Sequence, residues 1–276
     1  MIAYKKYSGA GNTFLMINNL DGGITDRRTV VLGLMEENKG FDGVIFVEES
    51  SIADYHMNYY NRDGTGNALC GNGLRCTAKY ILDEGISSKR IMSLEAVGRI
   101  FDSEFCFDGQ INVGFPPPVK MKFNFKLKVQ FEEWWQMLNV SYIDVGSPHI
   151  VAFIDEIEKP AVTSLEQIPI DDWGRNLRMH KDLMPEGANI NFVKVIKDNE
   201  IAIRSFERGV EAETKACGTG AISAAITCLA TRKMKDEIKV LTISGEYLTV
   251  GIQLVPAEEN KTRIKKITLK GNAVEI

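Results

Sequence analysis

Two stretches of this chain set a cysteine before a pair of glycines that bracket one polar residue. They are Cys70-Gly-Asn-Gly, within NRDGTGNALCGNGLRC at 61–76, and Cys217-Gly-Thr-Gly, within FERGVEAETKACGTGA at 206–221. A charged loop precedes each, and an apolar run at helical spacing follows each. Other pieces recur in the same order: GAGN at 9–12 is answered by GSPH at 146–149, and YYNRDG at 59–64 by SFERG at 205–209. The offsets are 137, 146 and 147 residues, nearly constant, which predicts a duplicated domain. The boundary falls at FPPPVK, 115–120, where three prolines end a strand and favour an extended connection.

Between these landmarks the chain reads as short strands. IAYKKYS, GVIFVEE, HMNYYN, INVGF, SYIDVG, HIVAFI, INFVKVI, IAIRSFE, KVLTIS and YLTVGIQL alternate or are rich in β-branched and aromatic residues. Residues 72–84 and 218–232 carry apolar residues at helical spacing, and the second is so rich in Ala and Ile that it predicts a buried helix. Further helices are expected at 26–39 and around 155–167. Of Trp134 and Trp135, one is expected in the core and one on the surface, and KTRIKK at 261–266 reads as a solvated face.

At 276 residues, 44% apolar and 25% charged, the chain can bury a core without disulfides or metals. A net charge of −4 argues against a nucleic-acid or membrane-surface binder, whose footprint is basic. No apolar run reaches membrane-spanning length, and MIAYKKYSGAGN lacks the apolar core of a signal peptide. Five cysteines without framework spacing fit reduced thiols in a cytosol.

One Cys-Gly-x-Gly turn leaves three readings open. Glycines let the backbone turn with its N–H groups unobstructed, and a helix starting there presents unpaired donors and a positive dipole end. Such an end binds a phosphate or carboxylate, or it lowers the pKa of a thiol and makes a nucleophile. The bland reading is a small residue packed beneath a turn. Two copies related by pseudo-symmetry add a fourth. Halves folded face to face would set the two sulfurs on either side of a carboxylate's α-carbon, so that one removes a proton and the other returns one to the opposite face. The N–H groups of Gly71, Asn72, Gly218 and Thr219 would then stabilise the charge that grows on the carboxylate.

The other candidates carry less. Cys76 and Cys228 fall inside the helical segments and Cys106 in a strand, where packing is the default. Cys70 and Cys76 lack zinc spacing, and no His pair stands at ligand spacing. A cysteine hydrolase using His149 leaves the second turn unexplained. His149 either tunes a thiol or serves its own turn. Glu207 and Arg208 are neighbours on a strand and face opposite sides, an exposed pair by default. Asn12, Asn61 and Asn189 sit beside Gly or Ala turns, where asparagine often serves its own backbone.

The segments SGAGNTF (8–14), GFDG (40–43), NRDGTGNALCGNGLRC, VGSPH (145–149), GANINFV (187–193) and FERGVEAETKACGTGA occur in the order found in the diaminopimelate epimerases. The chain resembles that family over nearly its whole length. The resemblance implies an α/β fold of two pseudo-symmetric domains, each a curved mixed or antiparallel sheet wrapped around a central helix. Residues 1–117 with 264–276 would form the N-terminal domain carrying Cys70, and 118–263 the C-terminal domain carrying Cys217. By position Cys70 and Cys217 match the family's catalytic acid/base pair, and His149 and Glu207 match residues that modulate them. Gly71, Asn72, Gly218 and Thr219 match the site of the reacting carboxylate, and Asn12, Asn61, Asn189, Glu207 and Arg208 match substrate contacts. Ser147 stands where many members carry Asn, and Gly43 where they carry Gln, both near the distal end of the substrate.

The resemblance further implies interconversion of LL- and meso-diaminopimelate, for lysine or peptidoglycan synthesis, without a cofactor or metal. The implied partner is a small molecule, the implied assembly a homodimer and the implied location the cytoplasm, with no nucleic acid and no membrane. A related racemase acting on histidine or proline would keep both cysteines and need no Arg208 grip on a second carboxylate. An isomerase of the phenazine-biosynthesis type lacks the thiol pair, and a carboxylate-binding module would use the cysteines only structurally.

Overall fold

The computed structural model describes residues 2–130, 135–257 and 262–276. The chain divides into two compact units, Met1–Phe115 with Leu269–Ile276, and Pro116–Thr268. Among the described residues no helix is long and apolar enough to cross a membrane.

The first unit runs β1 (Lys5–Gly9), β2 (Asn12–Asn18), α1 (Arg27–Glu37), β3 (Gly43–Glu48), β4 (Tyr55–Asn61), α2 (Gly71–Asp83), β5 (Ile91–Ala96), β6 (Arg99–Phe105) and β7 (Ile111–Phe115). β1 and β2 pair antiparallel, β2 and β3 parallel, β3 and β4 antiparallel, β4 and β5 parallel, and β5 and β6 antiparallel. Each parallel step is bridged by a helix, because parallel neighbours need a long crossover. The two helices take opposite faces of the sheet. Every residue of β3 is buried, as expected of a strand covered on both sides. Val44 and Phe46 join Leu15, Ile17, Val31 and Met35 beneath α1, whereas Ile45 reaches Gly73 of α2. Asp26 caps α1, its carboxylate accepting from Thr29 N at 3.2 Å.

The second unit runs β8 (Lys120–Gln130), β9 (Trp135–Asp144), β10 (Pro148–Phe153), α3 (Ile170–Arg178), β11 (Asn189–Lys197), β12 (Glu200–Glu207), β13 (Ala212–Thr214), α4 (Gly218–Thr231), β14 (Glu237–Leu241), β15 (Tyr247–Pro256) and β16 (Thr262–Gly271). From β9 the order of pairings repeats that of the first unit. β9 and β10 pair antiparallel, β10 and β11 parallel, β11 and β12 antiparallel, β12 and β14 parallel, and β14 and β15 antiparallel. The end of β16 returns to the first unit, where β17 (Val274–Glu275) pairs antiparallel with β1.

The last turns of α4 carry its hydroxyls inward without leaving them unbonded. Ser223 donates to Thr219 O at 2.8 Å, Thr227 to Ser223 O at 2.9 Å and Thr231 to Thr227 O at 2.8 Å. A helix buried from Gly218 to Cys228 thus satisfies Ser223 and Thr227 on its own backbone.

The helix expected around 155–167 is not there. That stretch holds only short 3₁₀ turns at Ile154–Glu156 and Leu165–Gln167, and the helix begins after Pro169 instead. Pro160 interrupts the expected segment, offering no N–H and steering its predecessor away from helical angles. Trp135 is exposed and Trp134 lies outside the described residues, as does Lys261 of the basic run, whose Arg263, Lys265 and Lys266 are exposed.

Candidate active site

In the first unit Cys70 is the N-cap of α2. Its backbone is extended, and its sulfur accepts from Gly73 N at 3.3 Å. The thiol therefore occupies the place a Ser or Asp side chain takes at an ordinary helix start, at the positive end of the dipole. Asn72, buried in the first turn, is gripped from both sides. Arg75 Nη2 donates to Asn72 Oδ1 at 2.7 Å, and Asn72 Nδ2 donates to Asn12 Oδ1 at 2.5 Å. Arg75 is itself wholly buried. This chain of three side chains fixes which way the Asn12 amide faces, since its oxygen is the end held by Asn72.

Asn61 ends β4 and donates to Thr65 Oγ1 at 3.0 Å. Across the ladder it faces Gly43. A Cβ at Gly43 would come within 2.2 Å of Tyr60 O and 2.6 Å of the Tyr59 ring. The space that a larger residue would need is thus taken by Tyr59, which packs edge-on against Phe14 at 5.7 Å.

In the second unit Cys217 is the N-cap of α4, with Gly220 N donating to its sulfur at 3.4 Å. The sulfur also lies 3.6 Å from Thr219 Oγ1. Thr219 Oγ1 is 2.9 Å from Nε2 of His149, which in turn lies 3.0 Å from Ser147 Oγ. The other ring nitrogen, Nδ1, is 3.1 Å from Asn191 Nδ2. Asn191 is tied further to Ile150 O and to Ser205 Oγ, each at 2.9 Å. Asn189 starts β11, donates to Pro148 O at 2.9 Å and accepts from Arg208 N at 2.8 Å. Glu207 ends β12 and accepts from Thr214 Oγ1, and its carboxylate also reaches the Cys217 thiol. Within this unit the fold therefore sets Thr219 and Glu207 against the Cys217 sulfur and His149 behind Thr219, with Asn189 beside the ring. Within the other, Cys70, Asn72 and Asn12 meet through the start of α2.

Two pKa directions follow from this packing. Burial pushes the Cys217 thiol well above its usual value, with the Glu207 carboxylate adding to the rise. The bonds from Thr219 and Gly220 pull the other way and lose. The helix-end argument predicts a lowered thiol and is overturned here, because desolvation disfavours the thiolate more than one N–H and one hydroxyl favour it. His149 is held at about 3, first by burial and then by the Arg208 guanidinium. It is a neutral imidazole at any physiological pH.

Strand register corrects one piece of the internal repeat. Phe14 pairs with Gly43 and His149 with Asn189, while Gly43 and Asn189 each stand one residue from the matched pairs Val44–Tyr60 and Ile190–Phe206. His149 is therefore the counterpart of Phe14, not of Asn12 as the GAGN–GSPH match suggests. Four residues that build the site, Arg75, Asn191, Ser205 and Thr214, are absent from the sequence-based set. Asn191 and Ser205 carry a signal in the repeat: at an offset of 146 they stand opposite Ile45 and Tyr59, polar residues where the other copy is apolar.

The sequence pattern of the diaminopimelate epimerases matches residues 4–121 and 141–264. The chain belongs to the diaminopimelate epimerase family. The diaminopimelate epimerase of Chlorobaculum tepidum is 34% identical over 248 residues, covering 88% of this chain and 90% of that protein. That of Aquifex aeolicus is 32% identical over 259 residues, covering 89% and 88%. Among solved structures, a phenazine-biosynthesis protein of Bacillus anthracis superposes with a TM-score of 0.73 at 17% identity, covering 100% of this chain and 97% of its own. A probable proline racemase of Agrobacterium radiobacter does so with 0.73 at 18% identity, covering 100% and 91%. These likenesses give the fold alone, an α/β fold with a sheet around a central helix in each half.

Proposed function

We propose that this chain interconverts LL- and meso-diaminopimelate with two thiols and no cofactor. The observation that carries the reading is that both halves of the repeated topology place a cysteine as the N-cap of the central helix, with a glycine N–H on its sulfur. A structural cysteine needs no such position twice. A helix start offers free N–H groups to a carboxylate, so Gly71–Asn72 and Gly218–Thr219 would bind the α-carboxylate as charge develops on it.

One sulfur, as thiolate, takes the α-proton, and the other, as thiol, gives a proton to the opposite face of the carbanion. The tetrahedral centre is rebuilt inverted and the two sulfurs have exchanged states. The high affinity of Cys217 for its proton suits it to wait as the thiol when the pocket is empty. In the reverse direction its thiolate is a correspondingly strong base. Gly220 N–H and Thr219 remain to bond that thiolate. Glu207 gains a partner while the proton is present and repels the thiolate when it has gone. His149, held neutral, is not the base.

Arg208 and the asparagines support diaminopimelate over a smaller amino acid, since a guanidinium fork can grip a second carboxylate. The homodimer, the cytoplasmic location and the place in lysine or peptidoglycan synthesis are carried by family membership and belong to the same proposal.

The experiment is proton NMR of the purified, reduced protein with LL-diaminopimelate in heavy water. Loss of the α-proton signal as the meso form grows is the expected result. Exchange with proline or histidine alone would keep two thiols and overturn the substrate. No exchange with any amino acid would sink the enzymatic reading.

A further inference from the structure

The polar layer beneath Cys217 fixes the position of a proton, and the residue that fixes it stands two side chains away from the sulfur. His149 is wholly buried. Asn191 Nδ2 meets Nδ1 of the ring at 3.1 Å and donates to Ile150 O at 2.9 Å. Turned the other way, the amide would press its own oxygen against that carbonyl. As it stands, Asn191 Oδ1 accepts from Ser205 Oγ at 2.9 Å. The backbone of β10 thus decides which end of Asn191 faces the imidazole.

An amide N–H can satisfy only a bare ring nitrogen, so Nδ1 is an acceptor and the neutral ring carries its hydrogen on Nε2. That hydrogen points at Thr219 Oγ1, 2.9 Å away, with Ser147 Oγ at 3.0 Å. Ser147 can donate to Thr219 Oγ1 as well, at 3.3 Å. Thr219 accepts from this side and its own hydroxyl hydrogen is left for Cys217 Sγ at 3.6 Å. One contact competes: Asn189 Nδ2 lies 3.5 Å from Nε2. That is the outer limit for such a bond, and the same nitrogen already donates to Pro148 O at 2.9 Å.

We propose that Asn191 is a positioning residue that locks His149 in its Nε2–H form, closed to a second proton, and so turns the Thr219 hydroxyl into a fixed donor to the Cys217 sulfur. The charged groups around this line are Arg208, which opposes a second proton on the ring, and Glu207, whose carboxylate reaches the sulfur. Gly220 belongs to the same device. A Cβ there would stand 2.4 Å from Asn191 Oδ1, so only glycine lets α4 start this close to the amide. The bearing on catalysis rests on the reading of Cys217 as a proton carrier. The tautomer does not.

The test is a long-range nitrogen–proton correlation spectrum of the full chain labelled with ¹⁵N-histidine, recorded from pH 6 to 8. The three histidines are distinguished by single His→Gln variants. A His149 ring with a bare Nδ1 and a protonated Nε2 at every pH is expected. A hydrogen on Nδ1 in the unaltered protein overturns the proposal, whatever the activity. In Asn191→Asp the carboxylate should draw a hydrogen onto Nδ1, and in Asn191→Leu the ring should populate both tautomers. An unchanged His149 spectrum in either folded variant means that Asn191 is not the lock.

Where exchange activity is present, Asn191→Asp should lower kcat by about tenfold or more with little change in KM, the scale of one hydrogen bond lost to a charged group. A loss confined to KM would show a structural effect on the pocket and count against the proposal. Should the unaltered protein exchange no substrate, the functional reading fails while the spectrum still judges the tautomer.

Discussion

Beneath Cys70 the sheet presents Phe14, Ile45 and Tyr59, and beneath Cys217 the same places in the repeated topology hold His149, Asn191 and Ser205. Both thiols cap a helix with the same extended backbone and the same bond from the second glycine of the motif. One copy is backed by buried apolar and aromatic side chains, the other by a hydrogen-bonded network that ends on the sulfur. Where the first copy has polar grip, it lies elsewhere: Arg75, with Ile222 as its counterpart, holds Asn72 and through it Asn12. The same backbone cap thus sits in two different surroundings: beside the first, amides held by Arg75, and beneath the second, a hydrogen-bonded network that reaches the sulfur.

The comparison is broken most severely by removing either sulfur. Cys70→Ala and Cys217→Ala should each lower exchange by about three orders of magnitude, as loss of a positioned acid or base does. Measurement of α-deuterium uptake would show it, and a variant retaining near-normal turnover would mean that only one cap is catalytic. Next in size is a stability difference between matched glycines. In Gly220→Ala the new methyl meets Asn191 Oδ1 at 2.4 Å, held in place by Ile150 and Ser205, and should cost about 1–3 kcal/mol in urea unfolding. In Gly73→Ala it meets Ile45 Cδ1 at 3.0 Å and Met57 Sδ at 3.4 Å, ends of flexible side chains. Relief of the glycine's helical penalty, about 1 kcal/mol, then offsets the crowding, and the midpoint should hardly move.

A third difference is visible in pH. His149 takes a proton at about 3 in the folded chain against an ordinary 6.5. Between those values the unfolded chain binds the extra proton, so the stability is fully present above 6.5 and falls as pH drops toward 3. Between pH 6.5 and 5 the slope should climb from about 0.7 toward about 1.4 kcal/mol per unit, the full value for one proton, before the carboxylates begin to titrate. His149→Phe, which copies the residue of the other half, should flatten it. An equal slope in that variant would show that the ring is not the group responsible. The smallest effect is expected at Arg75→Met. It should raise KM by about tenfold or less with kcat nearly kept, because it loosens an amide rather than a sulfur. A fall in kcat alone would put Arg75 in the chemistry instead.

Much of this was legible from residues because a Cys-Gly-x-Gly cap is local: the cap, the first turn and the helix after it occupy adjacent positions. What escaped depends on register. The crossover from β10 to β11 carries His149 to Asn189 in 40 steps (189 minus 149), where Phe14 reaches Gly43 in 29 (43 minus 14). The shared GAGN–GSPH spacing therefore sets His149 against Asn12, whereas the register sets it against Phe14. Asn191 and Ser205 sit inside strands, where an isolated polar residue reads as outward-facing. Only the apolar character of Ile45 and Tyr59 in the other copy marks them as buried. The direction of the Cys217 shift was missed because its main cause, burial, belongs to the packing around the cap and not to the cap itself, with the Glu207 carboxylate adding to it.

The pairing of β17 with β1 has a consequence for how such a chain comes into being. The first unit draws residues 269–276 into its sheet, Tyr7 lying opposite Glu275, whereas the second unit is one uninterrupted stretch. A ribosome that adds residues in order, at about 5–20 per second, releases everything the second unit needs before it releases the last strand of the first. The half that is synthesised first is the half that must wait, with the bare edge of β1 open to any passing strand until its own partner emerges.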